Sequence, residues 1–508
     1  MTDIEQLRRW WRAERAAGED NVTFDRGDAA LVALERDETG KGSLWLGNAL
    51  PRFGDEVEST VRDEGLDEAQ RHAVHRASAA RNALLIHGPP GTGKTRTLVE
   101  IVRQALRKRQ RILVTAASNV AVDNLTRRLA EVGVKVLRLG SPEMIAADLT
   151  EVSFHHRVAA LDEHRQAEQL FAQARRIAEG RGRRPADPRR KSSRLRREAH
   201  QLQNFARATI LRRARVVCAT AGGVDAVPLG DEQFDLVVLD EATQAPDPVA
   251  LAAILRGGVV VLAGDPQQLP PTVVAEDPEA RVGLASTLFE RCAARWSSAG
   301  TVMLTTQYRM SEALMRFPSE VHYGGRLTAG ASNRDHRLGD LLDAPPSPRD
   351  GRPWIVIDTG ELDTAEAADG DSVHNETHRR IVAAEVRRLV DDGIAPGDIA
   401  AICPYAAQAS RLRGALGRLV EAGLEIGTVD GFQGREKEVV IFDTVRSNRR
   451  GRIGFLRDVR RTNVAITRAK RQLIVVVHAP TLGRDAYYRR LLVAAGEAGA
   501  IEPARTTS

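Results

Sequence analysis

Cysteine is scarce in this sequence: Cys218, Cys292 and Cys403 are the three residues of that type among 508. They stand too far apart to form the close pairs of a zinc module or the framework of a disulfide-stapled domain, so buried thiols are expected. Long apolar runs are missing too. No stretch approaches the roughly 18 residues that cross a bilayer, and the opening "MTDIEQLRRWWRAER" is too charged for a signal-peptide core. A cytoplasmic protein with no membrane partner is the expectation. No repeat recurs at a solenoid period, which excludes a stacked array. Neither sign of charge dominates: 74 basic against 68 acidic residues leave +6, with an isoelectric point near 9.4. That balance suits a polyanionic partner, although many basic proteins bind no nucleic acid.

What is present fits a soluble globular chain, 42% hydrophobic and 28% charged. Its length calls for about two to four domains. Residues 1–65 read as an appendage. Ile4, Leu7 and Trp11 share one helical face with Trp10 beside them, and packing onto a neighbour is the expected use of those tryptophans. "NVTF", "AALVALER" and "SLWLG" then look β-like, which makes a small β-containing appendage, part of an accessory barrel, the expectation.

Residues 66–300 alternate strand and helix, the pattern of a parallel sheet covered by helices. Residues 151–213 interrupt it with two long polar helices around the breaker-rich "EGRGRRPADP", an inserted antiparallel helical hairpin. A second α/β set occupies 301–490, starting with the strand "TVMLTTQYR", and 491–508 form a tail whose end "IEPARTTS" looks disordered. The fold class is therefore α/β with two parallel-sheet lobes.

The stretch "LLIHGPPGTGKTRTL" carries the chemistry. An apolar strand meets a glycine-rich loop that opens a helix, and this pattern cradles nucleotide phosphates. Gly88, Gly91 and Gly93 let the backbone wrap the phosphates with its amides pointing inward. Pro89, Pro90, Thr92 and Arg96 complete the loop and the first helical turn. Lys94 reaches the β- and γ-phosphates, and the Thr95 hydroxyl ligates Mg²⁺. In "FDLVVLDEA" an apolar strand ends in two carboxylates: Asp240 would hold the metal, and Glu241 would orient and deprotonate the attacking water. ATP and Mg²⁺ are thus the expected cofactors, and the second carboxylate favours a hydrolase. "LAGDPQQLPPT" repeats the strand-then-polar-loop design, with Gln268 placed to sense the γ-phosphate or the water. Arg309 in "QYRM" and Arg468 in "AITRAK" stand in the second set. An arginine on the developing charge of phosphoryl transfer accelerates it roughly 10³- to 10⁵-fold. Carrying such arginines on a lobe other than that of the P-loop makes lobe closure depend on ATP, which describes a motor.

The ordered motifs "LDEAQ", "GPPGTGKT", "ASNVAVDNL", "DEATQA", "GDPQQLPP", "QYRM", "VDGFQGREKEVVI" and "RTNVAITRAK" run from residue 66 to residue 470. Together they resemble superfamily 1 helicases of the branch containing the nonsense-mediated decay helicase, the immunoglobulin µ-binding helicase and the replication helicase-nuclease. The resemblance implies two RecA-like lobes, ATP-driven 5′-to-3′ movement and action as a monomer on single-stranded DNA or RNA and duplex junctions. It also implies that Gln70 reads adenine, Glu436 contacts the ribose, Tyr308 stacks on the base, and Arg309 and Arg468 meet the γ-phosphate. Strand contacts would come from Ser118, Asn119 and Thr220 on the first lobe, and from Tyr405, Gln408, Thr428, Asp430 and Gln433 on the second. Departures are Ser311-Glu312 in place of His-Pro, Thr243 for Ser and Ile466 for Leu. No cysteine-rich or nuclease domain accompanies the motifs, so decay-factor and flap-nuclease functions are not implied.

Three rival readings stand beside a helicase. They are a nucleic-acid-stimulated ATPase that remodels protein–nucleic acid complexes with little unwinding, an assembly ATPase with arginines from a neighbouring subunit, and a passive adaptor. Between Arg181 and Arg197, nine of seventeen residues are basic. Such runs are usually a solvated face; at this position in the family it suggests contact with nucleic acid.

Overall fold

The computed structural model describes residues 4–18, 21–36, 41–55, 61–179, 187–223, 229–230, 232–342, 349 and 351–505. Arg181, Arg183 and Arg184 of the basic run lie outside these residues, as do residues 180–186 of the hairpin loop and the last three of the tail. The chain divides into two compact units. The first holds Met1–His87, Lys94–Asp265 and Pro270–Val302; the second holds Gly88–Gly93, Pro266–Leu269 and Met303–Ser508.

The first unit begins with α1 (Ile4–Ala17), α2 (Asn21–Arg36), α3 (Lys41–Trp45) and α4 (Glu68–Ala79). The β-like reading of "NVTF", "AALVALER" and "SLWLG", and with it the barrel, is corrected: Asn21–Arg36 and Lys41–Trp45 are helical. Phe24, Leu31 and Leu34 fall on one helical face and are buried; over such short apolar runs, helix and strand periods are hard to tell apart. Both tryptophans of α1 do pack into the core of this unit. The Trp11 ring lies 4.9 Å from that of Phe24, and a Cβ at Gly283 would run into the Trp10 ring. Glu14, buried, accepts hydrogen bonds from the amides of Val274 at 3.0 Å and Ala275 at 2.8 Å, tying α1 to the rest of the unit.

Strands β1 (Ala83–His87), β2 (Ile112–Ala116), β3 (Val136–Arg138), β4 (Val216–Thr220), β5 (Phe234–Asp240), β6 (Gly257–Gly264) and β7 (Thr301–Met303) form one sheet in the order β3-β4-β2-β5-β6-β1-β7. The pairings from β3 through β1 are parallel. Helices cover both faces, which explains why the strands are mostly apolar rather than alternating. β7, expected to begin the second set, instead closes the edge of the first sheet. The helices include α5 (Lys94–Arg107) and α6 (Asn119–Glu131).

α7 (Phe154–Ala159), α8 (Asp162–Ala178) and α9 (Pro188–Arg213) form the insertion. The expected hairpin is present. Ala167 and Ala174 of α8 face Ser192, Ala199 and Ala206 of α9, small buried residues at seven-residue spacing that let two backbones approach closely. The Ser192 hydroxyl donates to the Ala174 carbonyl at 3.0 Å and pins the register.

In the second unit, β8 (Thr306–Gln307) pairs with β9 (Thr328–Ala329). The six-stranded parallel sheet runs β14-β13-β15-β16-β10-β17, built from β10 (Trp354–Asp358), β13 (Ile399–Cys403), β14 (Glu425–Thr428), β15 (Lys437–Asp443), β16 (Ala469–Val477) and β17 (Ile501–Pro503). β11 (Ala367–Asp369) and β12 (Ser372–His374) make a small antiparallel pair. The tail is corrected by β17, which adds to β10 through backbone bonds such as Ala504 N–H to the Asp358 carbonyl at 2.8 Å. Main-chain pairing of this kind leaves little signature in side chains. All three cysteines are buried, and burial pushes the Cys218 thiol up to about 11 and that of Cys292 to about 12, so both are inert.

Because α1 is an integral wall of the first unit, Trp11→Ala is expected to cost about 3–5 kcal/mol of its stability. Denaturant unfolding of wild type and variant measures this; an unshifted midpoint would show α1 to be dispensable.

Candidate functional site

α5 opens directly after the glycine-rich loop, in which Gly91 and Gly93 adopt φ of 73° and 72°, a left-handed backbone that glycine enters without steric cost. Within the second unit, a Cβ at Gly91 would lie 2.6 Å from that of Arg309, so this position has a second reason to be glycine. Thr92 turns inward, its hydroxyl donating to the Pro89 carbonyl at 2.7 Å.

In the first unit Lys94, the opening residue of α5, meets the two carboxylates at the end of β5. Its ammonium lies 3.1 Å from Asp240 Oδ1 and 2.8 Å from Glu241 Oε1. Burial alone would depress the lysine, but the attraction of both acids outweighs it and holds the pKa above the ordinary value. Burial pushes the Asp240 carboxyl up, against the pull of Lys94. The ion pair dominates at this distance, and the ammonium stays charged.

Glu241 is held in an unusual way. Its φ of 51° and ψ of 39° are left-handed, a conformation costing a non-glycine residue roughly 1–2 kcal/mol. Its amide donates to Asp240 Oδ1 at 2.8 Å, and Gln244 donates to Glu241 Oε2 at 2.8 Å. Both carboxylate oxygens are thus aimed by named partners. Neither the strain nor the role of Gln244 was legible in the sequence, since a backbone conformation has no residue-type signal when glycine is not used.

The remaining residues expected at the nucleotide divide. Thr95 is half-buried at the second position of α5. Arg96 is turned to Asp63, with two bonds of 2.5 Å, and that pairing lowers the Asp63 carboxyl. Gln70 is buried in a capping box, its amide bonded to Asp67 at 2.8 Å and its side chain accepting from Asp67 N–H at 3.0 Å. Thr95 and Asp240 offer oxygen donors, the ligand type that a hard cation such as Mg²⁺ takes.

The second unit brings four expected residues together in two pairs. Arg309 donates to Glu436 at 2.7 Å and to the Thr467 carbonyl at 3.0 Å. Burial raises the Glu436 carboxyl, and Arg309 with Lys470 more than reverse this, leaving it below its ordinary range. Arg468, 2% exposed, donates to Gln268 Oε1 at 3.0 Å and to the Val464 carbonyl at 2.9 Å. Tyr308 stays 42% exposed, as a stacking ring must.

The expected strand contacts fare unevenly. Ser118 caps α6 through the Ala121 amide at 3.3 Å, Asn119 accepts from the buried Arg138 at 2.8 Å, and Thr220 ends β4 half-buried. Thr428 ends β14 and Asp430 is exposed. Gln433 Nε2 is buried with no hydrogen-bond partner among the described residues, a donor that a phosphate oxygen would satisfy.

Tyr405 and Gln408 are corrected. Gln408 is sealed in the interior, bonded to Asn375 N–H at 3.0 Å and to Asp443 at 2.6 Å. Tyr405 is 4% exposed, its hydroxyl accepting from Arg446 and from the Phe455 amide. The exposed ring here is Phe455, stacked on Tyr405 at 5.2 Å and 51% exposed. It was missed because a lone phenylalanine in "RIGFLRD" reads as core.

Two family models described as AAA domains match the chain, over residues 65–276 and 284–480. DNA-binding protein SMUBP-2 of Rattus norvegicus is 38% identical over 492 residues, covering 93% of this chain and 49% of that protein. An uncharacterized ATP-dependent helicase of Methanocaldococcus jannaschii is 32% identical, with 93% of this chain and 77% of that protein covered. A regulator of nonsense transcripts 1 homolog of Arabidopsis thaliana is 31% identical, covering 93% of this chain and 38% of that protein. The chain therefore spans about half the length, 49%, of the SMUBP-2 proteins it matches.

The left-handed backbone at Glu241 makes a prediction independent of chemistry. Glu241→Gly and Glu241→Ala both lose the carboxylate, yet the glycine variant is expected to be more stable by about 1 kcal/mol. Equal unfolding midpoints for the two would mean that the position carries no strain.

Proposed function

The chain belongs to the superfamily 1 helicases, and on that premise we propose that it is an ATP-dependent helicase that moves 5′ to 3′ along a single strand and separates duplexes. The observation that carries the proposal is Lys94 clasped by Asp240 and Glu241, with Glu241 strained into place. When ATP binds, its phosphates take Lys94 from the carboxylates, and the Glu241 carboxylate is released to accept a proton from the attacking water. Thr95 and Asp240 would hold Mg²⁺, which neutralises phosphate charge. Arg309 and Arg468 serve the charge that develops on the γ-phosphate, as the family resemblance implies. Gln433, Thr428, Asp430, Thr220 and Ser118 would meet the strand through its backbone, and Phe455 offers a ring to a base. Mean duplex stacking is about 1.4 kcal/mol per step, so one ATP per base pair is ample. One relative is named for DNA and another for transcripts, so DNA and RNA are both candidate tracks.

The test is ATPase activity with single-stranded DNA or RNA, run beside strand displacement on duplexes bearing a 5′ or a 3′ overhang. Stimulation by one nucleic acid and displacement from 5′ overhangs are expected, and Glu241→Gln should keep less than about a tenth of the turnover while still binding ATP. Stimulation without displacement would favour the remodelling ATPase instead.

The exposed face of α9 fits phosphates as well. Arg189, Arg190, Lys191 and Arg194 are exposed, and Phe205, on the same helix, is 51% exposed. Replacing the four cations with alanine should flatten the slope of log K against log salt by roughly 1.5–2, at about 0.7 per single-strand phosphate. An unchanged slope would return this face to solvent.

A further inference from the structure

At the edge of the first sheet opposite Asp240 and Glu241, three helices end where three strands begin. α5 stops at Arg107, α6 at Glu131 and α9 at Arg213, while β2, β3 and β4 start at Ile112, Val136 and Val216. A cavity of about 770 Å³ lies among them, within the range of small-molecule sites. Its walls carry Arg103 and Arg107 of α5, Lys135, Arg157 of α7, Arg213 of α9 and Arg215, with Arg62 beside them. Leu106, Val134 and Ile210 supply an apolar floor. No carboxylate belongs to the described lining.

Two of these cations, Arg103 and Arg107, have partners to be set against their charge. Arg103 pairs with the buried Glu100 at 2.9 Å. Arg157 and Arg215 donate to the backbone carbonyls of Glu151 at 3.4 Å and Arg109 at 2.7 Å, which carry no net charge. Basic residues do belong at helix C-termini, where each macrodipole presents about half a negative charge. Three such ends balance about one and a half charges, short of Arg62, Lys135, Arg157, Arg213 and Arg215, the cations that remain once Arg103 and Arg107 are set aside as partnered. Collecting like charges in a concavity, rather than spreading them over a convex face, focuses their field on whatever enters. Guanidinium forks match phosphate oxygens in geometry.

We propose that this cavity binds a compact polyphosphate, an anion carrying three or more phosphate groups, at a site separate from the nucleotide cradle. Inorganic polyphosphate and a polyphosphorylated nucleoside share that chemistry. The apolar floor distinguishes them, because only the second brings a ring to lie against Leu106 and Ile210.

Calorimetric titration of the full chain with inorganic tripolyphosphate tests the proposal, using Lys94→Ala to remove the P-loop's own hold on phosphates. One site is expected to survive in Lys94→Ala and to weaken at least tenfold when Arg107→Gln and Arg213→Gln are added. Arg189→Gln with Arg190→Gln removes the same charge elsewhere in the unit and should leave the affinity unchanged. Arg107→Gln with Arg213→Gln alone should leave basal ATPase unaltered. Should that pair fail to fold, protection of Lys135 from acetylation by tripolyphosphate in the otherwise native chain gives the same answer. A nucleoside triphosphate binding Lys94→Ala more tightly than tripolyphosphate assigns the floor to a ring; equal affinity assigns the site to the inorganic anion. No binding to Lys94→Ala, no protection of Lys135, equal weakening by the Arg189/Arg190 control, or stoichiometric displacement by a single-stranded oligonucleotide would each overturn it. None of these readouts depends on unwinding, so failure of the helicase proposal would not be mistaken for failure of this one.

Discussion

An ammonium taken almost wholly out of water is tolerable only against opposite charge, and Lys94 meets that condition through Asp240 and Glu241. The requirement reaches into the sheet. Lys94 follows the loop after β1, whereas the acids end β5, and β6 lies between these strands as a parallel neighbour of both. Parallel strands deliver their C-terminal ends to one edge, which is why open α/β sheets gather ligand-binding groups there. An antiparallel β6 would not by itself undo this, but an antiparallel β1 or β5 would put the ammonium and the carboxylates at opposite edges. The mostly apolar character of the strands and the helices on both faces follow from the same choice.

One backbone device occurs in both units with opposite outcomes. In the first, Asp240 accepts the amide of the next residue, Glu241, whose φ is 51°. In the second, Asp443 ends β15 and accepts the amide of Val445 at 2.8 Å, and Val445 has a φ of 65°, a conformation that β-branched residues rarely adopt. Asp443 is enclosed by His378 at 2.8 Å and Gln408 at 2.6 Å, so its carboxylate organises an interior. Glu241 instead presents its carboxylate to Lys94 and Gln244 at a sheet edge. A strained turn after a strand-end aspartate thus lies inside the packing in one place and at an open sheet edge in the other, and only the surrounding burial separates the two settings.

The hairpin shows how charge and packing share a helix. Alanine and serine at every seventh position of α9 face α8, and this narrow seam leaves most of the helix surface to solvent. Arginines can occupy that surface without being desolvated, and at the far end of the helix Arg213 reaches the polybasic cavity.

The sequence by itself determined the parts whose chemistry is local and ordered: the glycine loop, the paired acids at a strand end, the βα alternation and the two helices of the insertion. Glycines, prolines and a run of apolar residues ending in Asp-Glu each constrain the backbone within a few residues, so their consequences can be read without the fold. Tertiary structure decided what depends on facing. Asn21–Arg36 became helical because Phe24, Leu31 and Leu34 had a core to enter; Tyr405 and Gln408 turned inward while Phe455 turned out; and β17 joined an edge through main-chain bonds that no side chain announces. The polybasic cavity was least legible. Its cations come from separate segments between residues 62 and 215, and a charge cluster assembled from distant positions exists only once the sheet has set where those segments end.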